Sequence, residues 1–415
     1  MQEFIVGGFV RDKLLGINAA DKDWVVVGAT LDQMQAANFK QVGREFPVFL
    51  HPQTQEEYAL ARTEKKTAAG YNGFICDFNK DITIEQDLQR RDFTINAMAM
   101  DAATGAIIDP YGGQQDLEHK LIRHVSSAFI EDPLRVLRAA RFLARFYSLG
   151  FKIAPETLEL MQAMVQNGEI SALAKERVWR EIHRALTEKS PQQFFLTLHS
   201  IGALQIIFPQ LANLWGVPQR REYHPEIDTG VHTMLVLEQI VFLSNDPKVR
   251  FAALCHDLGK ALTPKDQWPS HKQHEVRGEL PIKEFAKTYN IPKSFSRFAV
   301  KCAKLHLLSH RALELTPSTL LKLFNDLDAF RNPEHLYEFT LVCEADARGR
   351  TGLQNRAYPQ SAFMRQALQH CAKVSYAHLL AQGLQGPKLG QAIQEERLEA
   401  IVKFKQNYLS CNGTN

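Results

Sequence analysis

The chain lacks the features that would mark it as secreted, membrane-bound or thiol-based. Only six cysteines occur in 415 residues (Cys76, Cys255, Cys302, Cys343, Cys371 and Cys411), and none forms a Cys-x-x-Cys pair. That scatter argues against a zinc ribbon or a disulfide scaffold and predicts reduced thiols in a cytosol. No run of about 18 apolar residues is present, which argues against a helical membrane span. The start, Met1-Gln2-Glu3-Phe4, has neither a basic segment nor an apolar one behind it, so no secretory signal is expected. These absences predict a cytoplasmic protein. One-sided charge is missing as well: Lys and Arg total 49, Asp and Glu total 46, and the net charge is +3. That balance does not announce a nucleic-acid binder, so any RNA contact must come from local clustering. Internal repeats, low-complexity tracts and a Lys/Arg-rich tail are also lacking.

What is present is an ordinary globular composition, 45% hydrophobic and 23% charged. The length suggests roughly three or four domains. Residues 1–125 mix strand-like and helical stretches. Asp23-Trp24-Val25-Val26-Val27 is short and β-branched and reads as a strand. Phe46-Pro47-Val48-Phe49-Leu50 and Glu57-Tyr58-Ala59-Leu60-Ala61 read as further strands, the proline hinting at an edge. Gly105 followed by Ala106-Ile107-Ile108 reads as a hairpin return. From Leu134 to Leu149 the pattern is helical. Helices then follow, separated by Pro155, Gly168, Pro191, Gly202, Pro209 and Pro218. The expected class is α+β, a small mixed head followed by mostly helical domains.

The head carries three signatures in order: Gly7-Gly8-Phe9-Val10-Arg11-Asp12, Asp21-Lys22-Asp23 and Arg90-Arg91-Asp92. Asp21 and Asp23 lead into a strand, where residues two apart share a face. Two such carboxylates suit a hard cation such as Mg²⁺, which takes oxygen ligands and phosphates. Alone, Asp-x-Asp is a weak signal, and a solvated pair is the default. The Gly7-Gly8 turn opens a short helix after an apolar strand, and its N–H groups can form an anion site with Arg11 one turn in.

Together with Arg90 to Ala97 (Arg-Arg-Asp-Phe-Thr-Ile-Asn-Ala), Glu131 to Phe142 and Glu176 to Glu181, these motifs resemble the class II tRNA nucleotidyltransferase and bacterial poly(A) polymerase family. Over the whole chain the resemblance is to its multifunctional CCA-adding branch. It implies a head of the polymerase β nucleotidyltransferase fold. It implies Asp21 and Asp23 as Mg²⁺ ligands and catalytic carboxylates, Gly8, Arg11 and Arg91 as nucleotide contacts, and Glu57 as a further candidate carboxylate. Asp132, Arg135, Arg138 and Arg141 match the nucleotide-selecting helix. Stepping by three, they stay on roughly one helix face for a few turns. An acceptor-only Asp and a donor-only Arg can hold cytosine or adenine, whose edges pair an amino donor with a ring acceptor. Uracil and guanine reverse that order, so both partners would face like groups.

A second centre is signalled mid-chain. His232 stands in Gly230-Val231-His232-Thr233, and His256-Asp257 follows Phe251 to Cys255. His271, His274, His306 and His310 come next, then Asp346. Imidazoles and carboxylates suit a borderline divalent cation rather than a thiolate zinc site. The order resembles the HD phosphohydrolase superfamily. That resemblance implies His232, His256, Asp257 and Asp346 as metal ligands, with His256 and Asp257 catalytic and Ni²⁺ or another divalent transition metal as cofactor. For His224 and His310 the default is a core or surface filler. The implied domains are a nucleotidyltransferase head (1–125), a nucleotide-selecting and RNA-binding neck (126–220), an HD domain (221–330) and a helical C-terminal segment (331–415). Lys175, Arg177, Trp179 and Arg180 cluster on one helix as a candidate phosphate-binding surface, a core tryptophan with flanking ion pairs being the other reading. The expected substrates are tRNA, CTP and ATP, and the expected state is a monomer or homodimer. A poly(A) polymerase and an enzyme adding only part of CCA remain as alternatives.

Overall fold

The structure, a computed structural model, describes residues 1–19, 22–42, 48–66 and 74–412. Asp21, and the Phe46-Pro47 start of one expected strand, lie outside the described residues. The chain divides into two compact units, Met1–Ile207 and Phe208–Asn415.

In the first unit, β1 (Gln2–Val6) turns at Gly7 into α1 (Gly8–Leu14), and β2 (Asp23–Val27) follows. Next come α2 (Leu31–Ala36), β3 (Lys40–Gln41), β4 (Val48–Leu50), β5 (Glu57–Leu60) and a ribbon of β6 (Thr63–Lys66) and β7 (Phe74–Asp77). Then come α3 (Ile84–Gln89) and a hairpin of β8 (Ala99–Asp101) and β9 (Ile107–Ile108). Thr30 and Thr83 start α2 and α3 through capping boxes with Gln33 and Gln86. Seven strands form one sheet in the order β3-β4-β5-β2-β1-β8-β9.

Successive valines of β2 point to opposite faces, and both faces are covered. Val25 packs with Phe4, Val6 and Leu88, and Val26 with Met34, Phe49 and Tyr58. The strand is therefore central and buried, and only its start meets solvent. β1 runs antiparallel to β2, and β2 runs parallel to β5, so Val6, Asp23 and Glu57 form one row across three strands. At the turn beside this row, Gly7 has φ +70°, and an added Cβ would stand 3.0 Å from Nη1 of Arg91. Glycine is needed there for backbone and for space.

Helix α4 (Gly113–Glu118) and β10 (Leu121–Ile122) lead to α5 (Leu134–Phe146) and β11 (Lys152–Ile153), which pairs with β10. Helices α6 (Pro155–Gln166), α7 (Lys175–Thr187), α8 (Pro191–Ser200) and α9 (Ala203–Ile207) complete the unit. The buried stripe Leu137, Ala140 and Ala144 of α5 faces α7 and α8. That leaves Arg135 and Arg138 only partly buried.

The second unit is helical: α10 (Pro209–Ala212), α11 (Thr229–Leu243), α12 (Pro247–Cys255), α13 (His274–Arg277), α14 (Glu279–Thr288), α15 (Lys293–His310), α16 (Pro317–Leu327), α17 (Pro333–Arg348), α18 (Pro359–Ala372), α19 (Ala377–Ala381) and α20 (Gly386–Asn412). Its centre is the packing of α11, α12, α15 and α17 around Leu237, Phe251, Cys302 and Phe339. Pro155, Pro191 and Pro209, which read as separators, each stand in the first turn of a helix, where the missing N–H costs nothing. No described helix is long and apolar enough to cross a membrane.

Gly349, just after α17, lies against α11, where an added Cβ would stand 2.6 Å from Cα of Val236. Its φ of −75° suits any residue, so Gly→Ala would otherwise stabilise by about 0.4–1 kcal/mol through the unfolded state. Overpacking against backbone costs about 1–3 kcal/mol and decides the sign. Gly349→Ala is expected to destabilise the protein by about 1–2 kcal/mol in chemical denaturation.

Candidate functional site

The first unit holds a cavity of about 660 Å³ beside the β2–β5 row. Asp23 and Glu57 line it from the sheet, Arg90 and Arg91 from the end of α3, and Asp132, Arg135 and Arg138 from the start of α5. Helix α7 adds Arg177, Arg180 and Arg184. Among the described residues eight arginines and six carboxylates face the cavity, an excess of two positive charges. Such a wall suits a polyanion such as a triphosphate, with Asp23 and Glu57 exposed beside it.

Two buried carboxylates hold the arginines in place. Asp87 accepts from Nη2 of Arg90 at 2.6 Å and Nη2 of Arg91 at 3.1 Å. Burial alone would raise its pKa, but Arg90 and Arg91 hold it below the usual carboxylate range. Asp92 accepts from the Phe93 N–H, from Asn96 Nδ2 and from Arg138 Nε at 2.8 Å. Burial again opposes ionisation, and Arg138 with Asn96 overrides it, leaving Asp92 at about 2. Asp132 takes a two-pronged contact from Arg177, at 3.2 and 2.8 Å. Arg135 reaches the carbonyls of Ala128 (2.9 Å) and Arg90 (2.6 Å).

The cavity thus gathers Asp23, Glu57, Arg91, Asp132, Arg135 and Arg138 of the expected residues. Gly8, Arg11 and Arg141 do not line it. The guanidinium of Arg11 is buried against Asp12 (2.7 Å) and Asn96 (2.5 Å). Arg141 is buried against Glu181 at 2.6 Å. The reason is rotational: each three-residue step falls about 60° short of a turn, so the expected stripe leaves the cavity after Arg138. Trp179 is partly buried and rings with His183, while Arg180 and Arg184 are exposed at the cavity. Asp87 was missed by sequence reasoning, although its spacing to Arg90 and Arg91 is that of helical ion pairs.

In the second unit, His232 on α11, His256 and Asp257 at the end of α12, and Asp346 on α17 come together, all buried. His232 Nε2 lies 3.1 Å from Asp346 Oδ1, and His256 Nε2 lies 3.2 Å from Asp257 Oδ2. His274 and His306 join them through Asp257 Oδ1, at 3.3 and 3.7 Å. Among the described residues three triads could hold an ion: His232, His256 and Asp346; Asp257, His274 and His306; and His224, Glu226 and His232, which shares His232 with the first. His310 and His224, expected as fillers, also stand here. His310 Nε2 is 2.6 Å from Asp346 Oδ2, and His224 is 3.2 Å from Glu226. His306 and His310 are four apart on α15, so one helix face carries both. His271 instead bonds Thr263 and the Pro218 carbonyl.

Several features fit a cation. His256, His274 and His306 each direct Nδ1 at the carbonyl three residues back, at 2.7–2.8 Å. That contact makes Nδ1 the protonated nitrogen and leaves Nε2 as the lone pair. The Nε2 atoms of His274 and His306 then face each other at 3.4 Å. His256 Nε2 and Asp257 Oδ1 are buried and make no hydrogen bond. Burial pushes the His306 imidazole down to about 3, so it is neutral as ligation requires. Burial opposes a charge on His256 too, but Asp257 and Asp346 raise its pKa above the ordinary value. A proton on His256 thus competes with a metal. Lys260 donates to Asp257 Oδ2 at 2.6 Å. The thiols of Cys255 and Cys302 are pushed up by burial and are not ligand-like.

Three family profiles match: "Poly A polymerase head domain" over residues 3–123, "Probable RNA and SrmB- binding site of polymerase A" over 150–214 and "HD domain" over 229–332. The chain is 53% identical over 407 residues to a multifunctional CCA protein of Hahella chejuensis (strain KCTC 2396), covering 98% of this chain and 96% of that one. It is 54% identical over 401 residues to a multifunctional CCA protein of Nitrosococcus oceani (strain ATCC 19707), covering 97% and 98%. The fold is shared with a CCA-adding enzyme in complex with ATP (TM-score 0.66, 22% identity, 100% of this chain and 90% of that chain). It is shared too with the Thermotoga maritima CCA-adding enzyme complexed with tRNA_CCA (TM-score 0.62, 21% identity, 99% and 91%). The profiles and relatives define a nucleotidyltransferase whose polymerase-type head shares one chain with an HD domain. Within that class, the chain belongs to the multifunctional CCA protein family.

Because the proton on His256 must leave before an ion enters, divalent-ion affinity at the second centre is expected to fall as pH drops below the raised His256 pKa. The fall should approach about tenfold per pH unit for each proton displaced. Calorimetric Co²⁺ titration between pH 8 and pH 6 checks this; a flat profile counts against ligation by His256.

Proposed function

We propose that the protein adds C, C and A to the 3′ end of tRNA from CTP and ATP without a nucleic-acid template, releasing pyrophosphate. The observation that carries this reading is the row placing Asp23 beside Glu57 under an arginine-lined cavity that also holds Asp132 and Arg135. Asp23, with Asp21, holds Mg²⁺. When bound there, the ion would lower the pKa of the attacking 3′-hydroxyl and would offset charge on the leaving pyrophosphate. Arg91 and its neighbours bind the triphosphate. Asp132 and Arg135 read the base edge, accepting from the amino group and donating to the ring acceptor, and Arg177 fixes the carboxylate that does the reading. Uracil and guanine leave both groups facing like partners, which excludes them. Solved relatives bound to ATP, CTP and tRNA_CCA support this assignment. The first unit comprises head and neck, and the protein acts in the cytoplasm.

The HD centre hydrolyses 2′-, 3′- or 2′,3′-cyclic phosphates, with Ni²⁺ or another divalent transition metal held by His232, His256, Asp257 and Asp346. Lys260 and the paired carboxylates orient the water and the phosphoryl group. A second reading, polyadenylation or addition of part of CCA, draws on the polymerase-type head profile. End-labelled tRNA lacking its last nucleotides, incubated with each nucleoside triphosphate separately, decides between them. Stepwise use of CTP and then ATP is the expected result.

Asp23→Ala is expected to cut nucleotide addition by at least about a hundredfold while leaving phosphate-ester hydrolysis intact. His256→Ala should do the reverse on the same two assays. Loss of both activities from either folded variant would refute the separation. Asp132→Ala should weaken CTP and ATP use and raise UTP and GTP misincorporation; a slower enzyme with background misincorporation would remove Asp132 from base reading.

A further inference from the structure

The second unit contains a cavity of about 1130 Å³ reached by His224, His274 and His310 of the metal-binding cluster. Its wall includes Lys260 and Arg350. Neither the sequence motifs nor the ligand triads give Arg350 a role. We propose that Arg350 is a phosphate-binding residue of this centre, its guanidinium taking phosphoryl oxygens of the ester that the bound ions activate. This rests on the phosphohydrolase reading of the HD centre.

Three observations converge on Arg350. First, its backbone is fixed on both sides. The Gly349 carbonyl accepts from Nδ1 of His232 at 3.0 Å, and the Thr351 N–H donates to Glu226 Oε2 at 3.2 Å. Glu226 Oε1 in turn lies 3.0 Å from the same His232 Nδ1. The residue is thus tied to a candidate metal ligand through two routes. Second, its side chain is only 13% exposed, and Nη2 stands 3.7 Å from Asp346 Oδ1. That separation is too long for a hydrogen bond. Asp346 is already engaged by His232 at 3.1 Å and His310 at 2.6 Å. Third, Nε of Arg350 is buried and has no hydrogen-bond partner.

A buried guanidinium donor without an acceptor is costly, and a cavity beside it is where an acceptor can enter. A phosphoryl group presents several anionic oxygens, and a guanidinium fork matches that geometry. Because the backbone is pinned, little ordering is needed when the anion arrives. Lys260, held by Asp257 at 2.6 Å and Gln219 at 2.5 Å, is a fixed point charge on the same wall. The buried carboxylates Asp257 and Asp346 would repel an anion in the absence of metal, so phosphate binding through Arg350 depends on metal loading. The ligand class is therefore a phosphate monoester or cyclic phosphate, and inorganic phosphate, the product when a monoester is hydrolysed, occupies the same place.

The test compares the full-length protein with Arg350→Lys and Arg350→Ala, each loaded with Co²⁺. Metal stoichiometry, Co²⁺ affinity and thermal midpoint are measured first, and then inorganic phosphate affinity and hydrolysis of p-nitrophenyl phosphate. The expected result is metal binding within about twofold of wild type, phosphate Kd raised roughly ten- to a hundredfold and KM rising more than kcat falls. Added guanidinium ion should restore part of the phosphate affinity to Arg350→Ala. Arg350→Lys keeps the charge without the fork, and it carries the test should the alanine variant fail to fold. Unchanged phosphate affinity in a metal-loaded variant overturns the proposal. So does a loss of metal affinity matching the loss of phosphate affinity, which would make Arg350 a support of Asp346. If the wild-type protein binds metal but neither binds phosphate nor cleaves the ester, the phosphohydrolase reading falls first and the role of Arg350 with it.

Discussion

A carboxylate can stay ionised inside a protein only if cations and N–H donors surround it, and that constraint shapes both centres. In the first unit, Asp87 and Asp92 are buried anions, and each recruits guanidinium groups to itself. The arginines are displayed at the cavity because the carboxylates hold them there. In the histidine cluster of the second unit the buried anions are Asp257 and Asp346, and imidazoles and one lysine are among their partners. The same requirement yields an arginine-lined wall in one place and an imidazole–carboxylate cluster in the other, according to whether the surrounding cations can shed a proton.

The geometry around Asp132 fits the proposed selection of nucleotides without a template. Arg177 approaches Asp132 with both terminal nitrogens, so the carboxylate is oriented before any base arrives. Arg135 is held by two backbone carbonyls, one belonging to Arg90. Helix α5 is thereby tied to the arginine pair of the head, and the groups proposed to read the base share their supports with those proposed to bind phosphate. Preorganisation of this kind makes rejection sharp, because a wrong edge meets donors and acceptors that have no freedom to turn away.

Several elements and the groups they carry could be placed from residue order, and less of what supports those groups. The Asp23 strand, the helix carrying Arg135 and Arg138 and the His256-Asp257 pair all appear where their local patterns put them. The row joining Asp23 to Glu57 was open only to analogy, since parallel pairing links residues far apart in sequence. Asp87 could have been found from its spacing to two arginines, but an acidic residue on a short helix gives no sign of its burial. Arg141 misled because a three-residue step approximates a helix face only briefly. His310 and His224 looked like isolated histidines; packing of α15 against α17 brings His310 to Asp346, while His224 meets Glu226 two residues on in the loop before α11. Gly349 and Glu226, which tie His232 down, carry no motif at all.

The carbonyl anchors of the second centre have a consequence for its evolution. His256, His274 and His306 each brace against the backbone of their own segment, three residues earlier. Each ligand therefore brings its orientation with it, independent of neighbouring side chains. Surrounding core residues can then drift in sequence, and helices can shift slightly, while the nitrogen lone pairs keep their aim. His232 is the exception, since its brace is shared between the turn after α17 and the loop before α11. Divergence in metal preference or reaction type among chains built this way should concentrate at that one shared brace, where altering a loop re-aims a ligand without touching it.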